Sequence, residues 1–191
     1  EIGYRLVGSE MCIRDSWSRV YGLNTVVFRH SSIYGGRQYA SIDQGWIGWF
    51  CKKVLEQDNQ IKLGNNILPF TISGNGKQVR DVLHSEDLIS LYHSAYKHKN
   101  QLYGEIFNIG GGVRNSLSIL ELIEVLKELL SISKLEYLCI KRRTSDQDCF
   151  IANIEKAKDK LNWEPKVNFR EGLEKMINWS KEVIKSDIGI L

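Results

Sequence analysis

The sequence predicts an α/β fold built on an incomplete parallel sheet. Short β-branched and aromatic runs alternate along the chain with amphipathic segments of helical period. Glycine pairs and Asn/Ser/Gly clusters separate them. The strand–helix pairs are also too few to complete a doubly wound sheet. With 42% hydrophobic and 26% charged residues, the 191-residue chain has enough apolar side chain for one sizeable core.

Each element follows from its residues. Thr25-Val-Val-Phe-Arg-His30 reads as a buried strand, being β-branched and aromatic. Ser31-Ser-Ile-Tyr-Gly-Gly36 reads as loop, because paired glycines interrupt both helix and strand. Between Gly45 and Leu55, Trp46, Trp49, Phe50 and Val54 fall near helical spacing, and aromatics so spaced belong first to a core. From Ile61 to Leu83, apolar runs broken at Asn65-Asn66 and Ser73-Gly-Asn-Gly76 predict small strands. Ser85 opens a helix whose first turn carries Glu86 and Asp87, where the dipole favours them, and whose apolar face is Leu88, Leu91, Tyr92 and Ala95. Glu105 to Ile109 is a strand, ended by Gly110-Gly-Gly112. Ser118 and Glu121 form a capping box ahead of Ile119, Leu122, Ile123, Leu126, Leu129 and Leu130 at helical period. Leu135 to Ile140 is a further strand. Helices over Ile154–Leu161 and Phe169–Val183 are separated around Pro165.

Composition narrows the function. A net charge of +3 is spread along the chain, and Lys141-Arg-Arg143 is too short a basic run for a nucleic-acid surface. Cys12, Cys51, Cys139 and Cys149 lack the paired Cys/His spacing of a zinc site and read as unpaired thiols of a reducing, cytoplasmic compartment. No apolar run approaches the length of a membrane span. Gly110 to Gly112 lack the GxGxxG spacing of a dinucleotide turn, so they are not assigned to phosphate.

Four segments carry chemistry: Phe28-Arg-His-Ser-Ser-Ile-Tyr-Gly-Gly36, Gly74-Asn-Gly-Lys-Gln-Val-Arg-Asp-Val-Leu-His84, Phe107-Asn-Ile-Gly-Gly-Gly112 and Arg143-Thr-Ser-Asp146. Leu161-Asn-Trp-Glu-Pro165 closes the set. In this order and spacing, from about Ser18 to Val183, they resemble the C-terminal half of the extended short-chain dehydrogenase/reductase (SDR) family, the NAD-dependent epimerases and dehydratases. Arg29-His-Ser-Ser32 with Asp43-Gln-Gly-Trp-Ile-Gly-Trp-Phe50 resembles the branch that epimerises carbon 2 of CDP-linked dideoxyhexoses. The resemblance implies part of a Rossmann-like sheet with a small α/β substrate-binding domain, NAD as cofactor, a nucleotide-sugar substrate, no metal, and a homo-oligomer for the whole protein.

It also implies roles. Arg80 and Arg143 take the positions that hold the diphosphate, with Lys77 and Gln78 beside the first. A guanidinium suits that task because its planar fork gives parallel charge-assisted hydrogen bonds. An ion pair with Asp81 or Asp87 competes for Arg80, and one with Asp146 or Asp148 for Arg143; Arg142 is expected to be solvated. His30, Ser31 and Ser32 follow the strand whose end meets the cofactor, since ligands sit beyond the carboxyl ends of strands in open α/β sheets. A turn-forming role competes for the serines and a satisfied strand histidine for His30. Gln44 is a candidate for a substrate hydroxyl, and the loop through Tyr34 and Arg37 for the border of the sugar.

The family's catalytic device is a Gly-rich turn for the pyrophosphate, a Tyr-x-x-x-Lys pair for the proton, and an assisting serine or threonine. None precedes Phe28, so no catalytic residue is assigned. Tyr137 and Lys141 have the spacing but fall on a predicted strand. Val7-Gly-Ser-Glu-Met-Cys-Ile-Arg-Asp-Ser16 resembles translated sequencing-adapter DNA, and residues 1–16 are expected to be a non-native leader to a C-terminal part spanning 17–191 that is inactive alone. Two alternatives stay open: part of a nucleotide-sugar 4,6-dehydratase, and a non-catalytic nucleotide-sugar-binding module.

Overall fold

A computed structural model describes residues 17–39, 41, 45–144 and 146–185. Strand β1 (Val26–His30) pairs in parallel with β5 (Glu105–Ile109), Val26 against Glu105 through His30 against Ile109. A second sheet centres on β4 (Val79–His84). It pairs in parallel with β2 (Ser32–Tyr34) and β8 (Cys149–Phe150), and antiparallel with β6 (Ser116–Ser118). The third pairing joins β3 (Phe70–Ser73) to β7 (Tyr137–Ile140) in parallel. The helices are α1 (Trp46–Lys62), α2 (Ser85–Lys97), α3 (Ile119–Leu130), α4 (Glu155–Leu161) and α5 (Phe169–Lys185).

The sheet centred on β4 is therefore mixed rather than wholly parallel, and three segments depart from the sequence reading. Ser32–Tyr34, expected as loop, is strand β2, because Ser32 to Tyr34 find partners in Val82 to His84. Gly110–Gly112 leads into a short 3-10 turn (Val113–Asn115) and β6 before α3 begins. Ile61 and Lys62 end α1 instead of starting a strand. The two strands depend on partners distant in sequence, Val82–His84 for β2 and Val79–Asp81 for β6, which no local pattern encodes.

Two apolar cores divide the work. One gathers Val54, Ile72, Leu122 and Leu126, none of them measurably exposed, between α1, α3, α5 and the sheets of β3 and β4. The other packs Leu91, Phe107, Ile109, Ala157 and Leu161 beneath β1 and β5. Burying each such side chain contributes about 1.5–3 kcal/mol, so the amphipathic faces of α1 and α3 fix the helices that border the site below. The capping box at Ser118 forms as the sequence requires: its hydroxyl accepts from the Glu121 amide at 3.2 Å and the Glu121 carboxylate accepts from the Ser118 amide at 2.7 Å.

Glycines at the end of β5 serve close packing. A Cβ on Gly111 would overlap the Val82 carbonyl oxygen, and one on Gly110 would overlap the Asp81 carboxylate. These positions let the turn after β5 pack directly against β4. Among the described residues, no helix is long and apolar enough to cross a membrane.

Candidate functional site

Where β2, β3, β4 and β7 converge, they enclose a cavity of about 440 Å³. Its aromatic wall is Trp46, Trp49 and Phe50 from the first turns of α1. Gly45 makes that wall possible: it precedes the helix with φ 75° and ψ 54°, a left-handed conformation that a side chain disfavours. Thr71 and Ser73 of β3, Gln78 and Arg80 at the start of β4, and Ser32 of β2 supply polar surface. The segment after β7 closes the cavity with Lys141, Arg143 and Asp146. Three cations against one carboxylate give this concavity a positive balance suited to an anion.

Asp146 organises the polar side. Its carboxylate accepts from Arg80 Nη2 at 2.7 Å and from Gln78 Nε2 at 2.9 Å. Arg80 also donates through Nη2 to the Gln147 carbonyl and through Nη1 to the Val79 carbonyl, each at 2.8 Å. Among the described residues, three hydrogen bonds orient a guanidinium with five N–H donors, leaving two for a ligand. The competing partners considered for Arg80 are engaged elsewhere. Asp81 accepts from the Gly112 amide at 3.1 Å, and Asp87 accepts from the amides of Lys166 and Val167 at 3.0 and 2.9 Å. Gln78 is buried and also donates to the Ser73 carbonyl at 2.7 Å, while its Oε1 is buried without a hydrogen-bond partner.

Of the residues singled out in the sequence, the cavity brings together Ser32, Gln78, Arg80 and Arg143. Lys77 is exposed on the turn before β4 and does not line it. Gln44 lies outside the described residues. Arg142, expected to be solvated, is exposed, and it also pairs with Asp148 at 2.6 Å and donates to the Asp146 carbonyl at 2.7 Å. In the sequence, Asp146 closes the Arg143-Thr-Ser-Asp146 segment and suggests only a local partner for Arg143. Its use by Arg80, 66 residues away, had no signal in the sequence.

The serines separate. The Ser31 hydroxyl meets the Asp81 main-chain oxygen at 2.9 Å and also its carboxylate, so its proton is engaged inside the fold. Ser32, its neighbour, faces the arginines, and its hydroxyl oxygen accepts from Trp46 Nε1 at 3.1 Å. Successive residues of an extended segment point to opposite sides, which accounts for the division. His30 ends β1 with its ring edge-on to Tyr92 at 6.2 Å, and its Nε2 lies 3.4 Å from the Tyr92 hydroxyl. Partial burial there pulls its pKa below the ordinary 6.5. Tyr137 stands on β7 and Lys141 lies beyond its end, so the Tyr-x-x-x-Lys spacing does not sit on a helix. Tyr34 is buried and donates to the Phe169 carbonyl at 3.2 Å, and Arg37 adopts a left-handed φ of 66°.

A larger, open cavity of about 750 Å³ lies at the sheet edge between Gly111–Asn115 and 164–168, and holds none of these residues. Among the described residues no group of three or more His, Cys, Asp or Glu side chains is arranged to hold a metal.

Comparison with known proteins adds a lineage to this geometry. A family model described as GDP-mannose 4,6 dehydratase matches residues 9–176. CDP-paratose 2-epimerase of Salmonella typhi is 50% identical over 167 residues, which cover 87% of this chain and 48% of that protein. UDP-glucuronate 4-epimerase of Thermodesulfobacterium geofontis is 35% identical over 89% of this chain and 47% of that protein. Human dTDP-D-glucose 4,6-dehydratase is 30% identical over 90% and 45%. Among solved structures, UDP-glucose 4-epimerase of Thermotoga maritima with UDP-glucose superposes with a TM-score of 0.76 at 28% identity, covering 92% of this chain and 52% of that one. UDP-glucuronic acid 4-epimerase of Bacillus cereus, in complex with UDP-glucuronic acid and NAD, gives 0.73 at 26% identity over 93% and 51%. The chain spans about half the length of the relatives it matches.

Proposed function

The chain belongs to the NAD-dependent epimerase/dehydratase family, and on that premise we propose that it is the nucleotide-sugar-binding part of an epimerase acting at carbon 2 of a CDP-linked dideoxyhexose. The observation that carries the reading is 50% identity to CDP-paratose 2-epimerase in a chain whose cavity joins Arg80 and Arg143. The dehydratase reading has weaker support, since the human dTDP-D-glucose 4,6-dehydratase stands at 30% identity.

In this proposal Arg80 and Arg143 hold the diphosphate, Gln78 braces the first through Asp146, and Lys77 adds charge from outside the cavity. Ser32, sharing the cavity with the arginines, is assigned to the substrate, and Gln44 to a sugar hydroxyl. Binding energy from the nucleotide and diphosphate would position the sugar for reaction.

The cofactor proposed is NAD, which supplies a hydride acceptor and donor when bound. His30 fits a place beside it: the ring is exposed at the carboxyl end of β1, and lowered basicity keeps it neutral near pH 7. Ser31, whose proton Asp81 engages, keeps an oxygen lone pair with which it could accept a hydrogen bond from the cofactor. The 191 residues contain neither a GxGxxG turn nor a Tyr-x-x-x-Lys pair on a helix, and we assign them no proton-transfer role. The whole protein is proposed to be a homo-oligomer.

Calorimetric titration of this chain with CDP, UDP, GDP and dTDP tests the reading. Tightest binding is expected for CDP, lost with Arg143→Ala. Equal or tighter binding of GDP or dTDP, or no binding at all, would overturn it.

A further inference from the structure

Ser32 and Trp46 share more than a cavity wall. The indole N–H of Trp46 donates to the Ser32 hydroxyl oxygen at 3.1 Å. An indole nitrogen can only donate, so Ser32 receives this bond as acceptor. The serine hydroxyl keeps one proton to give, and among the described residues no acceptor takes it. Ser31, the adjacent serine, has its proton engaged by Asp81. The two serines therefore present different chemistry, and of the pair it is Ser32 whose proton remains available at the cavity.

Both members of the pair are held from behind. Ser32 is paired in β2 against Val82. Trp46 is the first residue of α1, partly buried against the apolar core, with its ring edge-on to Phe50 at 6.5 Å. The bond ties strand β2 to the first turn of α1 at the cavity wall, which restricts rotation of the hydroxyl. A donor fixed in direction is more useful to a ligand than a free rotor, because less orientational freedom is lost on binding.

We infer that Trp46 is a positioning residue that holds Ser32 as a directed hydrogen-bond donor to an oxygen of the ligand's diphosphate-sugar portion. The inference rests on the nucleotide-sugar reading of the cavity. It gives Trp46 a role that its spacing, typical of a core aromatic, does not announce.

A double-mutant cycle on this chain tests it, with Ser32→Ala, Trp46→Phe and the double variant titrated with CDP and with CDP-glucose. Ser32→Ala is expected to weaken binding about tenfold, the value of one hydrogen bond to a charged or strongly polar acceptor. Trp46→Phe keeps the packing and loses the N–H, and is expected to weaken binding by a smaller factor. The double variant should bind no worse than Ser32→Ala, because Trp46 acts through the serine. Ser32→Thr, which keeps the hydroxyl, should restore affinity. A penalty already present with CDP places the acceptor on phosphate, and one confined to CDP-glucose places it on the sugar; either supports the inference.

In the free chain, Ser32→Ala should shift one of the five indole N–H resonances in a nitrogen-correlated NMR spectrum, the one absent from Trp46→Phe. An unmoved indole signal, or additive penalties in the double variant, would overturn the positioning role while leaving the nucleotide-sugar reading intact. Absence of binding of either probe by the unmodified chain would remove that reading and the inference with it.

Discussion

Arg80 and Asp146 meet at 2.7 Å across the rim of the cavity, with side chains 21% and 23% exposed. Two more hydrogen bonds, to main-chain oxygens, hold the guanidinium in the same orientation. Arg80→Ala should therefore do two things at once. It should leave the Asp146 carboxylate without its cation, at a cost of about 1–3 kcal/mol. It should also weaken CDP binding about tenfold, since a charge-assisted contact is lost. Arg80→Lys should recover part of the affinity but not the orientation, because an ammonium lacks the planar fork. Lys77→Ala, outside the cavity, should cost less than either. Urea denaturation and titration with CDP separate the two effects, and an Arg80→Ala variant with unmodified affinity would remove Arg80 from the proposed clamp.

The turn after β5 should resist any added side chain. Gly111→Ala drives a methyl into the Val82 carbonyl oxygen, a main-chain atom that no rotamer change can move. A loss of about 1–3 kcal/mol or more is expected from overpacking, read as a lower denaturation midpoint. Gly64→Ala is the matched comparison for added bulk alone: a Cβ there meets nothing within 4 Å, so only its left-handed φ of 68° is strained. Equal losses in the two variants would refute the close-packing account.

His84 should make stability depend on pH. It is buried at the end of β4, and its Nδ1 accepts from the Glu86 amide at 3.3 Å, capping α2. Burial pulls its pKa below the ordinary 6.5, against the opposing pull of nearby Glu86. A lowered folded value means that the unfolded chain takes up the proton first. The contribution is complete above 6.5 and is lost as pH falls below it. His84→Asn keeps a capping oxygen without a titrating ring, and should flatten the change in stability between about pH 5 and pH 7. His30, also shifted downward by burial, should leave a residual slope. A slope unaltered by His84→Asn would contradict the assignment.

The thiols should differ in reactivity. Cys51 is buried in α1 and burial pushes its pKa up to about 12, whereas Cys139 and Cys149 are exposed. A thiol reagent near pH 8 should label Cys139 and Cys149 quickly and reach Cys51 only on unfolding, because the thiolate is the reactive form. Mass mapping of labelled peptides reads this directly, and rapid labelling of Cys51 in the folded chain would refute its burial.

Much of this molecule is legible without its structure, and the reason is locality. The strand at Val26–His30, the helix from Ser85 and the capping box of Ser118 and Glu121 rest on residues within a few positions of one another. The ordered motifs place the chain in its family for a related reason: each is a short contiguous stretch. Arg80 and Arg143 are singled out only through those motifs, as the positions that the family resemblance assigns to a diphosphate. Which groups face each other, by contrast, depends on how distant segments pack. Asp146 takes Arg80, although Asp81 adjoins it in sequence, because β4 turns neighbouring side chains to opposite faces and brings the segment after β7 alongside. The same alternation sends Ser31 to Asp81 and Ser32 to Trp46. It also makes a strand of Ser32–Tyr34, whose glycine-rich surroundings read as loop, because Val82 to His84 lie within hydrogen-bonding reach. Local periodicity determines where an element forms, and long-range packing chooses the partner each side chain meets.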